Sequence, residues 1–167
     1  MNKFIIRSEE SSDIGMIWSV TEQAFAGVSY ASGDEQDIVD RLRDSGALSV
    51  SLVATIGGEV VGHIAMSPTT STDSSQEWLT LGPVSVLPDY QRKGIGSALI
   101  RQALTEIREQ KATGCILVGD PKYYARFGFE LAPQFSPQPE YASVFMVNKF
   151  SDEEPSGALS FHRAFGD

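Results

Sequence analysis

The chain has 167 residues, 41% hydrophobic and 21% charged, a length that suits one domain with a real core and a composition that excludes the disordered class. Its 22 acidic side chains outnumber 13 lysines and arginines, for a formal net charge of -9. That balance argues against nucleic-acid binding, which draws its affinity from cations set against phosphates; a neutral or cationic partner fits better, and an anionic cofactor would need a local basic or dipolar site.

Phe4-Ile5-Ile6 predicts a first strand. The apolar run breaks at Arg7, too soon for a secretory signal. No stretch approaches the roughly 18–20 apolar residues that span a bilayer. No membrane partner is expected, and the expected location is cytoplasmic. Ser11-Ser12-Asp13 offers N-cap chemistry for a helix carrying Ile14, Ile17, Trp18 and Phe25. A second helix is predicted over Asp34 to Asp44, with Ile38, Val39 and Leu42 inward and its acids on a solvated face.

Leu48, Val50, Leu52, Ala54 and Ile56 recur with a period of two, which marks a strand. Gly57-Gly58 supplies a tight reversal and Val60 to Met66 the returning strand. Thr69 to Gln76 reads as a loop. In the next strand Leu79 and Leu81 share one parity and Val84 and Val86 the other. A slip at Gly82-Pro83 predicts a β-bulge there that splays this strand from a neighbour. Pro88-Asp89-Tyr90 ends it. The helix that follows buries Ile95, Leu99, Ala103 and Ile107 at helical spacing.

Cys115 to Val118 reads as a strand, Tyr123 to Phe127 as a short helix closed by Gly128, and Ser143 to Val147 with Ala158 to His162 as a final hairpin. Cys115 is the single cysteine, inside an apolar run; no disulfide partner and no metal-ligand spacing accompany it, so it reads as a buried strand residue and no metal is expected. Antiparallel strands around one strand-helix-strand unit predict an α+β, or mixed α/β, architecture over residues 1–167 as a single domain.

The segment Gln91-Arg92-Lys93-Gly94-Ile95-Gly96-Ser97 carries the first chemical signal. The opening turn of a helix leaves N–H groups without partners, and the helix dipole makes them an anion site. Two glycines let a phosphate approach the backbone, and Arg92 and Lys93 add local positive charge. The frame fits neither a P-loop, which needs Gly-Lys-Ser/Thr, nor a dinucleotide fingerprint, which needs a third small residue where Leu99 stands.

With Gln91, Gly94 and Gly96 in this junction, the chain resembles the GNAT superfamily of acyl-CoA N-acyltransferases, whose pyrophosphate motif is Q/R-x-x-G-x-G/A. Tyr124 to Phe129 looks like that family's Y-x-x-x-G-F segment, and the pattern is nearest the YhbS-like bacterial group. The resemblance implies a central, mostly antiparallel twisted sheet of about six to seven strands flanked by about four helices. It implies acetyl-CoA as co-substrate, its pantetheine arm along the backbone of Val84, Ser85 and Val86 and its pyrophosphate on the N–H groups of Gln91, Arg92, Lys93, Gly94, Ile95, Gly96 and Ser97.

Tyr124 matches the family tyrosine that donates a hydrogen bond or proton to the departing sulfur. Reference pKa values of about 10 for tyrosine and about 8.5 for a thiol make full transfer uphill by roughly 2 kcal/mol, so a hydrogen bond to the thiolate is the better reading. Many relatives place a glutamate base in the fourth strand, where this chain has Gly82 and Pro83, neither able to take a proton; removal of the amine proton through water is expected instead. His63 has a suitable ordinary pKa and shares parity with Ser67, but reads as structural, and His162 receives no role. The expected function is acetyl transfer to a primary amine of a small molecule or protein by direct attack in a ternary complex. The alternative is a non-catalytic acyl-CoA-binding or sensor module, and the sequence leaves a homodimer open.

Overall fold

The computed structural model describes residues 3–166; Met1, Asn2 and Asp167, which the domain span and the N-terminal reading included, lie outside the described residues. In chain order the elements are β1 (Ile5–Ser8), α1 (Ile14–Phe25), α2 (Glu35–Asp44), β2 (Val50–Ile56), β3 (Glu59–Pro68), β4 (Thr70–Ser71), β5 (Trp78–Val86), α3 (Ile95–Glu109), β6 (Gly114–Val118), α4 (Pro121–Tyr124), β7 (Glu130–Leu131), β8 (Phe145–Lys149) and β9 (Leu159–Ser160). Seven strands make one mixed sheet in the order β1-β2-β3-β5-β6-β8-β7. Within it β5 and β6 are parallel, while β1–β2, β2–β3, β6–β8 and β7–β8 are antiparallel. The chain divides into two compact units, one holding residues up to Met66 with Gly82–Ala103, the other Ser67–Leu81 with the chain from Leu104 onward.

In the first unit, Gly57 and Gly58 turn the β2–β3 hairpin with φ of 58° and 85°, a left-handed pair that matches the twist of the strands it joins. The register sets Val53 opposite His63 and Ser51 opposite Ala65. Val53 and Val60 pack with Ile17 and Val20 of α1 and Val39 of α2. On the other face a Cβ at Gly62 would lie 3.2 Å from Ile95, from Leu99 and from the Ser85 carbonyl, so the glycine lets α3 pack close. The predicted α3 stripe of Ile95, Leu99, Ala103 and Ile107 is buried throughout; burying a side chain the size of Leu99 stabilises the fold by roughly 1.5–3 kcal/mol.

Two local readings change here. Ser11–Asp13 forms a 3-10 turn that leads into α1 with Asp13 at the N-cap position, but the Asp13 side chain makes no bond to α1, because its carboxylate is taken by Arg7 at 2.7 and 3.1 Å and, in a capping box with Glu10, by the Glu10 N–H at 2.7 Å. On β5 the buried residues are Pro83 and Ser85, while Val84 and Val86 are only half-buried, the reverse of the parity expected from hydrophobicity. Serine can point inward because its hydroxyl lies 3.2 Å from Thr21 Oγ1 of α1, which itself donates to the Ile17 carbonyl at 2.7 Å, so no buried polar group is stranded. β5 runs unbroken through this point, where the Gly82–Pro83 peptide is cis and Gly82 has a φ of 130°.

In the second unit, β6 pairs with β5 from Trp78↔Gly114 to Thr80↔Ile116, and the ladder ends there, which accords with the predicted parting of β5 from a neighbour. Trp78, Ile116, Phe145 and Val147 form its core with Ala132 and Leu159. Gly114 is required, since a Cβ there would fall 2.4 Å from both the Trp78 ring and the Asn148 carbonyl. The final hairpin is corrected: β8 pairs with β6 and β7 in the main sheet, while β9 pairs with β4, inside the stretch read as a loop. The turn-like residues between them are tied elsewhere, Gln76 donating to Glu153 at 2.9 Å and to the Glu154 carbonyl at 2.8 Å, and Ser156 donating to Asp73.

Candidate functional site

Along a strand the backbone N–H and C=O groups alternate sides. The Leu87 N–H donates to the Val61 carbonyl of β3 at 2.8 Å, and Ser85 turns its carbonyl toward Gly62. By that alternation Val84 and Val86 direct their backbone groups away from β3. The Val86 carbonyl accepts from Gln91 Nε2 at 3.0 Å, so Gln91 straps the following loop to the end of β5.

That loop is built to present amides. Arg92 has a φ of 64° and Gly94 a φ of 86°, left-handed conformations that turn successive N–H groups into one concavity. Nothing lies within 4 Å of where a Gly94 Cβ would stand. The first backbone bond of α3 is from Ala98 N–H to the Gly94 carbonyl at 3.1 Å, and among the described residues the amides of Arg92, Lys93, Gly94, Ile95 and Gly96 have no main-chain partner. A fifteen-residue helix starts at Ile95, so its positive dipole end coincides with these donors. Arg92 and Lys93 are exposed, with Lys93 Nζ 5.7 Å from the Tyr90 ring centre. Val84, Ser85, Val86 and Gln91 to Ser97 are thus all in the first unit.

Tyr124 belongs to the second unit. Asp120 caps α4 by accepting the Lys122 N–H at 3.0 Å, and Gly128, at a φ of 98°, closes the 3-10 turn that follows. The Tyr124 ring is half-buried, edge-on to Tyr123 at 5.0 Å and to Phe129 at 6.0 Å. A Cβ on Gly119 would fall 2.6 Å from its Cε2, so the ring lies flush on the glycine at the end of β6. Tyr123 is engaged differently, under the Arg126 guanidinium at 4.7 Å, with Arg126 Nε donating to its carbonyl at 2.9 Å.

Sequence reasoning missed a polar cluster in the first unit. Glu9, Arg43, Ser51 and His63 are joined by hydrogen bonds, and His63 is fully buried. Burial pushes its imidazole down to about 4, against the pull of Glu9 and with the push of Arg43, so it is neutral near pH 7. Cys115 is also fully buried and its thiol is pushed up by desolvation, which removes the thiolate a nucleophile needs. Among the described residues no cluster of three His, Cys, Asp or Glu side chains is placed to hold a metal, and no helix is long and apolar enough to cross a membrane.

The acetyltransferase (GNAT) domain family matches residues 47–131. The chain is 31% identical over 144 residues to the uncharacterized N-acetyltransferase YhbS of Escherichia coli K12, covering 82% of this chain and 86% of that protein. Over the whole fold it is similar to a GNAT family acetyltransferase from Brucella melitensis in complex with acetyl-CoA, with a TM-score of 0.87, 42% identity and 99% of each chain covered. The crystal structure of Escherichia coli YhbS in complex with CoA gives a TM-score of 0.89 at 28% identity, covering 100% of this chain and 94% of that one.

Proposed function

Because this chain belongs to the GNAT acetyltransferase family and is an acetyl-CoA-dependent acyltransferase, we propose that it moves the acetyl group to a primary amine of a small molecule or protein, by direct attack in a ternary complex. The observation that carries the reading is the row of amides from Arg92 to Gly96 at the start of α3, which have no main-chain partner among the described residues. A diphosphate supplies the acceptors those donors lack, and the helix dipole favours its charge. Val84 and Val86, with backbone groups turned away from β3, would take the pantetheine arm as an added strand.

In this reading the chain acts mainly by holding two reactants together, which can supply a large part of the barrier lowering. A backbone N–H near Val84 would donate to the oxygen of the tetrahedral adduct, a contact worth roughly 2.7–4 kcal/mol. Tyr124 would donate its O–H to the departing thiolate, its ring set by Gly119 and Phe129. The net charge of -9 favours a cationic or neutral acceptor over an anionic one.

Release of free thiol from acetyl-CoA across a panel of amines tests the reading, with Tyr124→Phe alongside. Amine-dependent release, reduced at least tenfold in the variant, is the expected result. Tight acetyl-CoA binding with no release on any amine would instead favour a sensor module on the same fold.

A further inference from the structure

Helices α1 and α2 are joined by residues 26–34, and the joint frames an open cleft of about 370 Å³, a size that suits a small ligand. Its walls come from Glu22 and Phe25 in the last turn of α1, from Val28 and Ala31 of the connection, and from Glu35 and Gln36 of α2. All of them lie in the first unit, with Val84, Ser85 and Val86. The Thr21 hydroxyl, 3.2 Å from that of Ser85, ties this end of α1 to β5. Glu22 follows Thr21 directly, and Phe25 stands one turn on, about 5.4 Å along the axis. The cleft therefore begins beside the strand assigned to the thioester arm.

Among the described residues, every charged side chain lining the cleft is acidic. Glu22 is exposed, and neither it nor Glu35 has an ion-pair partner there. The arginines of α2 are engaged elsewhere, Arg41 with Asp34 at 2.7 Å and Arg43 with Glu9 at 2.8 Å. Glu35 is 9% exposed and accepts from the Ser32 and Gly33 N–H groups at 2.8 and 3.1 Å; it sets the loop wall and also serves the start of α2, whereas Glu22 has no such duty. Helix α1 ends at Phe25, so the negative end of its dipole meets the cleft. That end favours a cation, and the helix has no basic residue in its last turn. Phe25, Val28 and Ala31 are half-buried and offer an apolar lining to an alkyl chain. The occupant this combination selects is an ammonium group on an aliphatic stem.

An ammonium held there is not the nucleophile. Attack on a thioester needs an unprotonated nitrogen, whereas a lysine-type amine has an ordinary pKa of about 10.4 and nearby carboxylates hold it charged more firmly. The anchored nitrogen and the reacting nitrogen are therefore different atoms. We propose that the acceptor is an aliphatic diamine, one nitrogen anchored in this cleft as the ammonium by Glu22 and the other delivered to the thioester. This rests on the amine acetyltransferase reading above and names its substrate class. The second nitrogen's electron pair forms the C–N bond, the C–S pair leaves with sulfur, and the proton the nitrogen sheds passes through solvent to the thiolate. Net, a diamine and a thioester give the mono-acetylated diamine and a free thiol.

The test compares 1,4-diaminobutane and 1,5-diaminopentane with butylamine and 4-aminobutanoate in the thiol-release assay. The diamines should exceed butylamine by about tenfold in kcat/KM, with the anionic 4-aminobutanoate poorest. Glu22→Gln, an exchange of similar shape at an exposed position, should raise KM for the diamines about tenfold and erase most of their preference over butylamine. Its acetyl-CoA dissociation constant, read by calorimetry, should stay within about twofold of the wild type. Mass spectrometry should find the mono-acetylated diamine as product. A wild type that uses butylamine as readily as the diamines, or a Glu22→Gln variant that keeps the full preference, overturns the proposal and leaves the acetyltransferase reading standing. A wild type inert on every amine overturns both.

Discussion

The buried imidazole predicts an acid-sensitive stability whose size follows from its environment. In the unfolded chain His63 takes a proton below its ordinary value of 6.5, whereas in the folded protein it does so only below about 4. Between those values the unfolded state binds more protons, so the stability contributed by the neutral ring is fully present above 6.5, declines as pH falls through the window, and is fully lost below 4. The gap corresponds to roughly 3 kcal/mol in all and about 2 kcal/mol by pH 5. Glu9 and Asp13 are held below the usual carboxylate range by their arginines, and their contributions have the same direction but are lost at lower pH. Denaturant unfolding of wild type and His63→Gln from about pH 7.5 to 5, with slopes compared to verify a common unfolded state, isolates the histidine. The wild type should lose about 2 kcal/mol relative to the variant across that range. Parallel stability curves, separated by a constant amount, would refute the assignment of a buried neutral ring.

Arg92→Ala combined with Lys93→Ala should weaken acetyl-CoA binding and flatten its dependence on ionic strength, measured by calorimetry at low and high salt; an unchanged dissociation constant at both would count against the amide row as a diphosphate site. Gly119→Ala should displace the Tyr124 ring, whose Cε2 would stand 2.6 Å from the new methyl carbon, and lower turnover toward that of Tyr124→Phe while leaving cofactor affinity alone. Cys115, fully buried with its thiol pushed up, should resist an aromatic disulfide reagent in the native state and react once per chain after unfolding. Reaction at native rates typical of an exposed thiol would show that β6 opens readily.

What the sequence disclosed and what it hid divide along a physical line. Helix α3, its buried stripe and the glycine-rich turn ahead of it were legible because each is written within about twenty consecutive residues, in a period and a turn chemistry that no other structure satisfies. The β2–β3 hairpin was legible for the same reason, Gly57 and Gly58 standing between two alternating runs. The last hairpin was misread because β8 is an apolar strand that any open edge could accept, and nothing local announces that β6 and β7 take it. On β5, hydrophobicity pointed Val84 and Val86 inward; Thr21, sixty-four residues before Ser85, makes a buried serine tolerable instead.

His63 is the extreme of that kind. Its neighbours in sequence, Gly62 and Ile64, say only that a histidine sits in an apolar strand, and a structural role is the natural reading. Its tautomer is set by Ser51, twelve residues away, whose proton is claimed by Glu9, forty-two residues from Ser51 and held by Arg43 on α2. Each link is an ordinary surface-adjacent polar contact; only their succession forces the lone pair onto the buried nitrogen. Ser51→Ala should therefore redistribute the imidazole proton between the two ring nitrogens, read by nitrogen-15 NMR; an unchanged tautomer would show that the Ser51 hydroxyl does not set it.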